Sequence, residues 1–295
     1  MHTCVIFNPS ARGEKAQAVC SRLQALHPNY ALRITAAPGE ARRLAAQAVR
    51  EGFDTIVAAG GDGTANEVVN GIADVPRGLA AARLGLLPLG TVNVFARELG
   101  LPRHLDGAVK TLAAGKETTM DLGRVDFGAN GGAQSRYFLQ LAGAGVDSRA
   151  IELVRWELKK KVGPLAYVMA GLQAARETQP VITVQCESLV SGELVLLGNG
   201  RFYGGSFAFF PAASVRDGLL DVCVFPKITW QGAAQVMGGL LTGRVHRWRP
   251  ALRLQSSHVR LTSPSRVVLQ LDGENVGELP VTFSVRPNAL RVIVP

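Results

Sequence analysis

The stretch Thr55-Ile56-Val57-Ala58-Ala59-Gly60-Gly61-Asp62-Gly63-Thr64-Ala65-Asn66-Glu67 decides the fold. A β-branched and apolar run enters a turn with paired glycines, and the turn feeds a helical pattern. The same alternation precedes it, with Cys4 to Phe7 and Leu32 to Thr35 as strands and Glu14 to Leu26 and Gly39 to Arg50 as helices. It continues with Leu84 to Leu87 as an apolar strand and Val92 to Leu99 as a helix stopped by Gly100 and Pro102. Strands alternating with helices predict a parallel α/β sheet, and sites in such sheets lie at the carboxyl ends of the strands.

Past about Asp121 the texture changes. Arg136 to Leu141, Val181 to Cys186, Leu194 to Leu197, Leu220 to Val224, Val259 to Thr262, Val267 to Leu271 and Val281 to Val285 read as strands separated by turn residues. This predicts a mostly antiparallel β domain, interrupted by helical inserts at Ile151 to Arg176, broken at Gly163-Pro164, and Trp230 to Leu241. The expected division is residues 1–125 for the α/β domain and 126–295 for the β-rich domain, with the last strand free to return to the first. A chain of 295 residues, 47% of them hydrophobic, is long enough to bury two such cores.

Three turns follow strands and carry chemistry. Asn8-Pro9-Ser10-Ala11-Arg12-Gly13 leads into a helix whose free N–H groups suit an anion, although an ordinary strand-to-helix turn would look the same. In Gly60-Gly61-Asp62-Gly63-Thr64 the glycines let backbone approach a phosphate, Asp62 can hold a metal or a hydroxyl, and Thr64 can donate to a phosphate oxygen. A tight turn alone would explain the glycines but not the Asp and Thr. The third turn, Leu87-Pro88-Leu89-Gly90-Thr91-Val92-Asn93-Val94-Phe95-Ala96-Arg97, again ends a strand in Gly-Thr with Asn close by. No P-loop is present, because no Gly-Lys-Ser/Thr occurs, and the third glycine of a dinucleotide fingerprint is missing.

Together these segments resemble the diacylglycerol kinase and sphingosine kinase catalytic domain, particularly its soluble bacterial lipid kinases. Gly-Gly-Asp-Gly-Thr alone would also fit NAD kinases and, more loosely, phosphofructokinases; the Pro88 to Ala96 segment tips the reading to lipid kinases. Asn199-Gly200-Arg201, Asp217-Gly218-Leu219-Leu220-Asp221 and Leu271-Asp272-Gly273-Glu274 extend the resemblance along the chain, although each Asp-Gly is by default a hairpin turn. The implied fold is α/β plus β: an N-terminal NAD-kinase/phosphofructokinase-like α/β domain and a C-terminal antiparallel β-sandwich.

The resemblance implies ATP at Asn8, Pro9, Ser10, Gly13, Thr35, Gly60, Gly61, Asp62, Gly63, Thr64, Ala65, Asn66, Glu67, Gly90, Thr91 and Asn93. It implies Glu274 as proton acceptor, with Asp272 as the competing acid and Asp62 beside the nucleotide. It also implies Mg²⁺ at Ser214, Asp217 and Leu219, with Asp121 in the acidic network. Many relatives carry Asn-Asp-Phe-Ala where this chain has Asn93-Val94-Phe95-Ala96, which removes one carboxylate from that network.

The acceptor expected from the resemblance is a membrane lipid. The net charge of +9 suits nucleic acid, an anionic membrane surface or an anionic substrate and does not choose among them, whereas the stretches Arg155-Trp156 through Lys161 and Arg244 through Arg249 suit an anionic lipid surface and are equally readable as solvated surface. No signal peptide and no membrane-spanning stretch is present, so the chain is expected in the cytoplasm, peripheral to membranes during turnover. Cys4, Cys20, Cys186 and Cys223 are scattered and read as reduced core thiols. No nucleic-acid motif occurs. A homodimer through exposed edges of the β domain is a further expectation. Two other readings remain open: a kinase of a soluble acceptor such as NAD, and a catalytically weakened nucleotide-binding regulatory protein.

Overall fold

A computed structural model describes residues 2–11, 16–26, 30–128, 134–153, 173–174, 177–203, 205, 207–229, 231 and 252–295. The chain divides into two compact units, one of Met1–Leu122, Gly204–Ser206 and Arg286–Pro295, the other of Gly123–Tyr203 and Phe207–Val285. The expected helices across 151–176 and 230–241, both basic stretches and Gly13 lie almost wholly outside the described residues.

The first unit begins with β1 (Thr3–Phe7), a single 3-10 turn (Pro9–Ala11), α1 (Ala16–Leu26), β2 (Ala31–Ile34), α2 (Glu40–Arg50) and β3 (Thr55–Gly60). It continues with α3 (Asp62–Ala73), α4 (Gly78–Ala81), β4 (Arg83–Pro88), α5 (Val94–Glu98), α6 (Leu105–Ala114) and the first part of β5 (Glu117–Phe127). β1 pairs in parallel with both β2 and β3, and β3 with β4, in the register Thr55↔Arg83 through Gly60↔Pro88. The inner strands are apolar because both faces are covered: every residue of β1 and of β3 is buried. Val5, Phe7, Val57, Leu87 and Ile293 share one core with Leu23 of α1 and Leu112 of α6. With the strand ends aligned, β1, β3 and β4 deliver Asn8, Gly61 and Leu89 at one edge of the sheet.

The second unit contains the rest of β5, β6 (Ser135–Phe138), β7 (Leu141–Gly145), α7 (Val146–Leu153), β8 (Ile182–Gln185), β9 (Leu189–Gly192), β10 (Leu194–Gly198), β11 (Phe202–Tyr203) and β12 (Phe207–Ala208). Then follow β13 (Leu220–Phe225), β14 (Leu252–Ser256), β15 (His258–Thr262), β16 (Val268–Leu271), β17 (Glu274–Glu278) and β18 (Val281–Ile293). One antiparallel sheet runs β14-β13-β10-β7-β16-β17, and the start of β18 continues through β15 and β8 to β9. Val222, Val195, Ala144 and Leu269 of the first sheet pack with Val184, Leu261 and Phe283 of the second, which makes a β-sandwich.

Two elements differ from the sequence reading. The single strand expected over Arg136 to Leu141 is two strands, because Leu139 and Gln140 turn to give their N–H groups to Asp272. The last strand does not stop at Val285 before Pro287. It runs on to Ile293, and its final part lies parallel to β4 through Val292↔Leu84 in the first unit.

Candidate active site

In the first unit, three turns meet where β1, β3 and β4 end. The Asn8 N–H donates to Ala59 O at 3.0 Å, and its Nδ2 to Thr64 Oγ1 at 3.1 Å, which places the first turn against the first turn of α3. Asn8 Oδ1 accepts from Ser10 N at 3.0 Å, so one side chain organises its own turn and the next loop. Gly60 O accepts from Leu89 N at 2.8 Å and from Gly90 N at 3.3 Å, linking the second and third turns. That link requires bare backbone: a Cβ on Gly90 would lie 2.7 Å from Gly61 Cα and 2.8 Å from Asn93 Oδ1.

Asp62 adds the second link. Its carboxylate accepts from Val94 N and Phe95 N, both at 3.0 Å, which caps α5 from another loop. Asn93, in the left-handed region at φ 52°, closes the third turn by donating Nδ2 to Gly90 O at 2.7 Å and accepting from Gly90 N at 3.0 Å. Thr91 stands exposed at its tip, whereas Thr64 is buried.

The remaining expected nucleotide residues have local tasks. Glu67 spends its carboxylate on Gly39 N at 2.8 Å and Ala41 N at 3.0 Å, at the start of α2. Thr35 is buried, with its N–H on Phe7 O at 2.9 Å. Asn66 accepts from Asn70 Nδ2 at 3.0 Å, and Ala65 N donates to Gly61 O at 3.1 Å within α3. Pro9 and Ser10 form the 3-10 turn, and Gly63 sits in the first turn of α3.

In the second unit, Leu271-Asp272-Gly273-Glu274 is the turn from β16 to β17. The Asp272 carboxylate accepts from Leu139 N at 2.8 Å, Gln140 N at 2.9 Å and Leu141 N at 3.0 Å. With three backbone donors on it, Asp272 ties the hairpin to the β6–β7 turn, while Glu274 is exposed at the first position of β17.

Ser214, Asp217 and Leu219 lie together on the turn before β13, where Ser214 Oγ accepts from Arg216 N at 3.3 Å and Asp217 Oδ1 from Leu219 N at 3.0 Å. Burial, and then the neighbouring Asp217 carboxylate, push the Asp221 carboxyl above its usual value. An all-oxygen donor set with crowded negative charge fits a hard divalent cation. Among the described residues no group of three or more His, Cys, Asp or Glu is placed to hold a metal, so any such site depends on hydroxyl and carbonyl oxygens. Asp121 belongs to the first unit, buried, and accepts from Asn288 N at 2.7 Å.

Sequence reasoning missed Asp147, in the first turn of α7. It accepts from Tyr203 Oη and from Gln270 Nε2, the latter at 2.8 Å, and burial pushes its carboxyl up from the usual value against the opposing effect of these two donors. The available signal was a single carboxylate ending the small, apolar run Leu141 to Val146.

One chain thus joins an α/β unit whose glycine turns meet at a strand edge to a β-sandwich that carries an exposed acid on a hairpin. Residues 2–125 match the diacylglycerol kinase catalytic domain, and residues 140–294 match the YegS C-terminal NAD kinase beta sandwich-like domain. A Pseudomonas aeruginosa (strain UCBPP-PA14) protein named "Probable lipid kinase YegS-like" is 34% identical over 99% of this chain and 93% of its own. A diacylglycerol kinase of Staphylococcus epidermidis (strain ATCC 35984) is 28% identical over 99% of this chain and 91% of its own. A solved Bacillus anthracis (strain Sterne) structure, described as a candidate diacylglycerol kinase, shares the fold with a TM-score of 0.80 at 22% identity, covering 99% of this chain and 97% of that one. The chain belongs to the diacylglycerol kinase and YegS-like lipid kinase family, and it is a kinase.

Proposed function

We propose that this kinase transfers the γ-phosphate of ATP to the hydroxyl of a membrane lipid of the diacylglycerol or sphingoid type. The observation that carries the nucleotide half is the backbone-to-backbone approach of Gly61 and Gly90, two positions without side chains just past the ends of β3 and β4. Such surfaces admit phosphate oxygens to main-chain N–H groups. Thr64 and Asn8, already bonded to each other, stand beside them, and Thr91 is exposed for contact.

Glu274 is the residue we assign as proton acceptor for the attacking hydroxyl. A carboxylate serves this role by accepting the hydroxyl proton late in a loose transition state. Asp272 holds the turn, and Asp62 holds the Gly90 loop. Ser214, Asp217 and Leu219 would hold Mg²⁺, which when bound supplies positive charge to an acidic region. The excess of Lys and Arg supports work at an anionic lipid surface. No helix among the described residues is long and apolar enough to cross a membrane.

The test is transfer of radiolabelled phosphate from ATP with Mg²⁺ to a panel of lipids in mixed micelles, with NAD as the soluble acceptor. Wild type is expected to label a lipid, and Glu274→Gln to lower that rate by about 100-fold or more while ATP binding persists, in line with a lost general base. Label on NAD alone would replace the lipid reading. A folded protein that binds ATP but labels neither acceptor would favour the regulatory reading, toward which Val94 points.

A further inference from the structure

The hairpin that carries Glu274 is held from both sides by the first turn of α7. Ahead of Glu274, Gly273 N donates to Gln270 Oε1 at 2.8 Å, and the other end of the same amide, Nε2, donates to Asp147 Oδ2 at 2.8 Å. Past Glu274, Asn275 Nδ2 donates to Ser148 O at 3.2 Å. Tyr203 Oη occupies the other oxygen of Asp147. Gln270 is fully buried, and the β16–β17 register shifts at Leu269/Gln270, an irregularity of the kind that re-aims a side chain.

Strand β7 makes room for this connection. Gly143 lies opposite Gln270 in the β16–β7 register, and a Cβ there would lie 2.7 Å from Gln270 Nε2 and collide with Asp147 Oδ2. The Asp147–Gln270 bond thus passes over a position of β7 that has to lack a side chain. A buried carboxylate is costly unless its donors are in place, and here both are supplied by side chains whose other contacts lead to the hairpin and to β11.

We propose that Asp147 is a positioning residue for phosphoryl transfer: through Gln270 it sets the conformation of Gly273 and thereby the aim of Glu274. The proposal rests on Glu274 as proton acceptor. A proton acceptor displaced by about 1 Å costs rate out of proportion to its effect on binding.

Gln270→Glu sets a second carboxylate against Asp147 and, assayed at a pH high enough that both are ionised, opens the link by like-charge repulsion. Adding Asp147→Asn restores a donor to the new carboxylate, an acceptor for Tyr203, and leaves the Gly273 N–H with its acceptor. Expected for Gln270→Glu is a kcat at least ~10-fold down with KM for ATP within about twofold of wild type, and recovery to within about threefold in the double variant. Gly143→Ala, a wedge under the same bond, is expected to lower kcat without changing KM for ATP. Hydrogen exchange of the peptide spanning 270–278 is expected to accelerate in Gln270→Glu and to return in the double variant.

Folded Gln270→Glu and Gly143→Ala proteins with wild-type kcat, or a double variant that recovers neither rate nor protection, would overturn the proposal. If wild type phosphorylates no lipid, the proposed function fails instead, and the exchange measurement still decides whether Asp147 holds the turn.

Discussion

Gly90 shows how much of the proposed nucleotide site rests on an absent side chain. Gly90→Ala forces the two glycine turns apart, because the new methyl meets Gly61 Cα at 2.7 Å and Asn93 Oδ1 at 2.8 Å. Calorimetry is expected to show ATP affinity about 10-fold weaker or worse, a loss on the order of 1.4 kcal/mol, in a protein that remains folded. The cysteines behave according to burial. Cys4 and Cys223 are buried, and burial raises each thiol from 9.0 to about 11. At pH 8 an alkylating reagent is expected to modify the partly exposed Cys20 and Cys186 in the native protein, and all four only after unfolding. Because the folded values are raised, the contribution of these two thiols to stability is complete below pH 9.0 and is lost as pH rises toward about 11.

Among the elements, α2 and α5 each receive a cap from a residue of α3. Glu67 accepts from Gly39 N and Ala41 N, and Asp62 from Val94 N and Phe95 N. Glu67→Ala strands donors at the start of α2, and a lost cap costs about 1 kcal/mol, so the melting temperature is expected to fall by roughly 2–4 °C in a thermal scan. Glu67→Gln, which keeps an acceptor, is expected to lose less. Sequence patterns placed α2 and β3 within a residue or two of their observed ends, because apolar period and glycine punctuation act locally. The split between β6 and β7 was not legible, since it depends on the carboxylate of Asp272, more than 130 residues away.

At the scale of the molecule, the chain returns at its end to where it began. Leu290, Val292 and Ile293 are buried in the first unit, to which Arg286–Pro295 belongs. A fragment of residues 1–122 therefore lacks a strand beside β4 and exposes apolar surface. It is expected to aggregate or remain unfolded by circular dichroism. A version that joins 286–295 through a flexible linker is expected to recover a cooperative melt and ATP binding; failure of that version would show that the first unit needs more than its own strands.

The sequence by itself determined the alternation of strand and helix, the glycine turns, the β-rich second half and the family resemblance, because each depends on residues close together along the chain. Asn8, Thr64 and Gly90 could be named as candidate site residues from the sequence, but the bonds of Asn8 to Thr64 and of Gly90 to Gly60 and Asn93 could not. Only the tertiary structure decided that Asp62 and Glu67 hold neighbouring helices, that Asp272 is committed to three backbone donors while Glu274 is exposed, and that Asp147 reaches the hairpin through Gln270. These assignments depend on which donor lies opposite which acceptor after distant strands have paired, and hydrogen bonds act over about 3 Å in space without regard to separation in sequence.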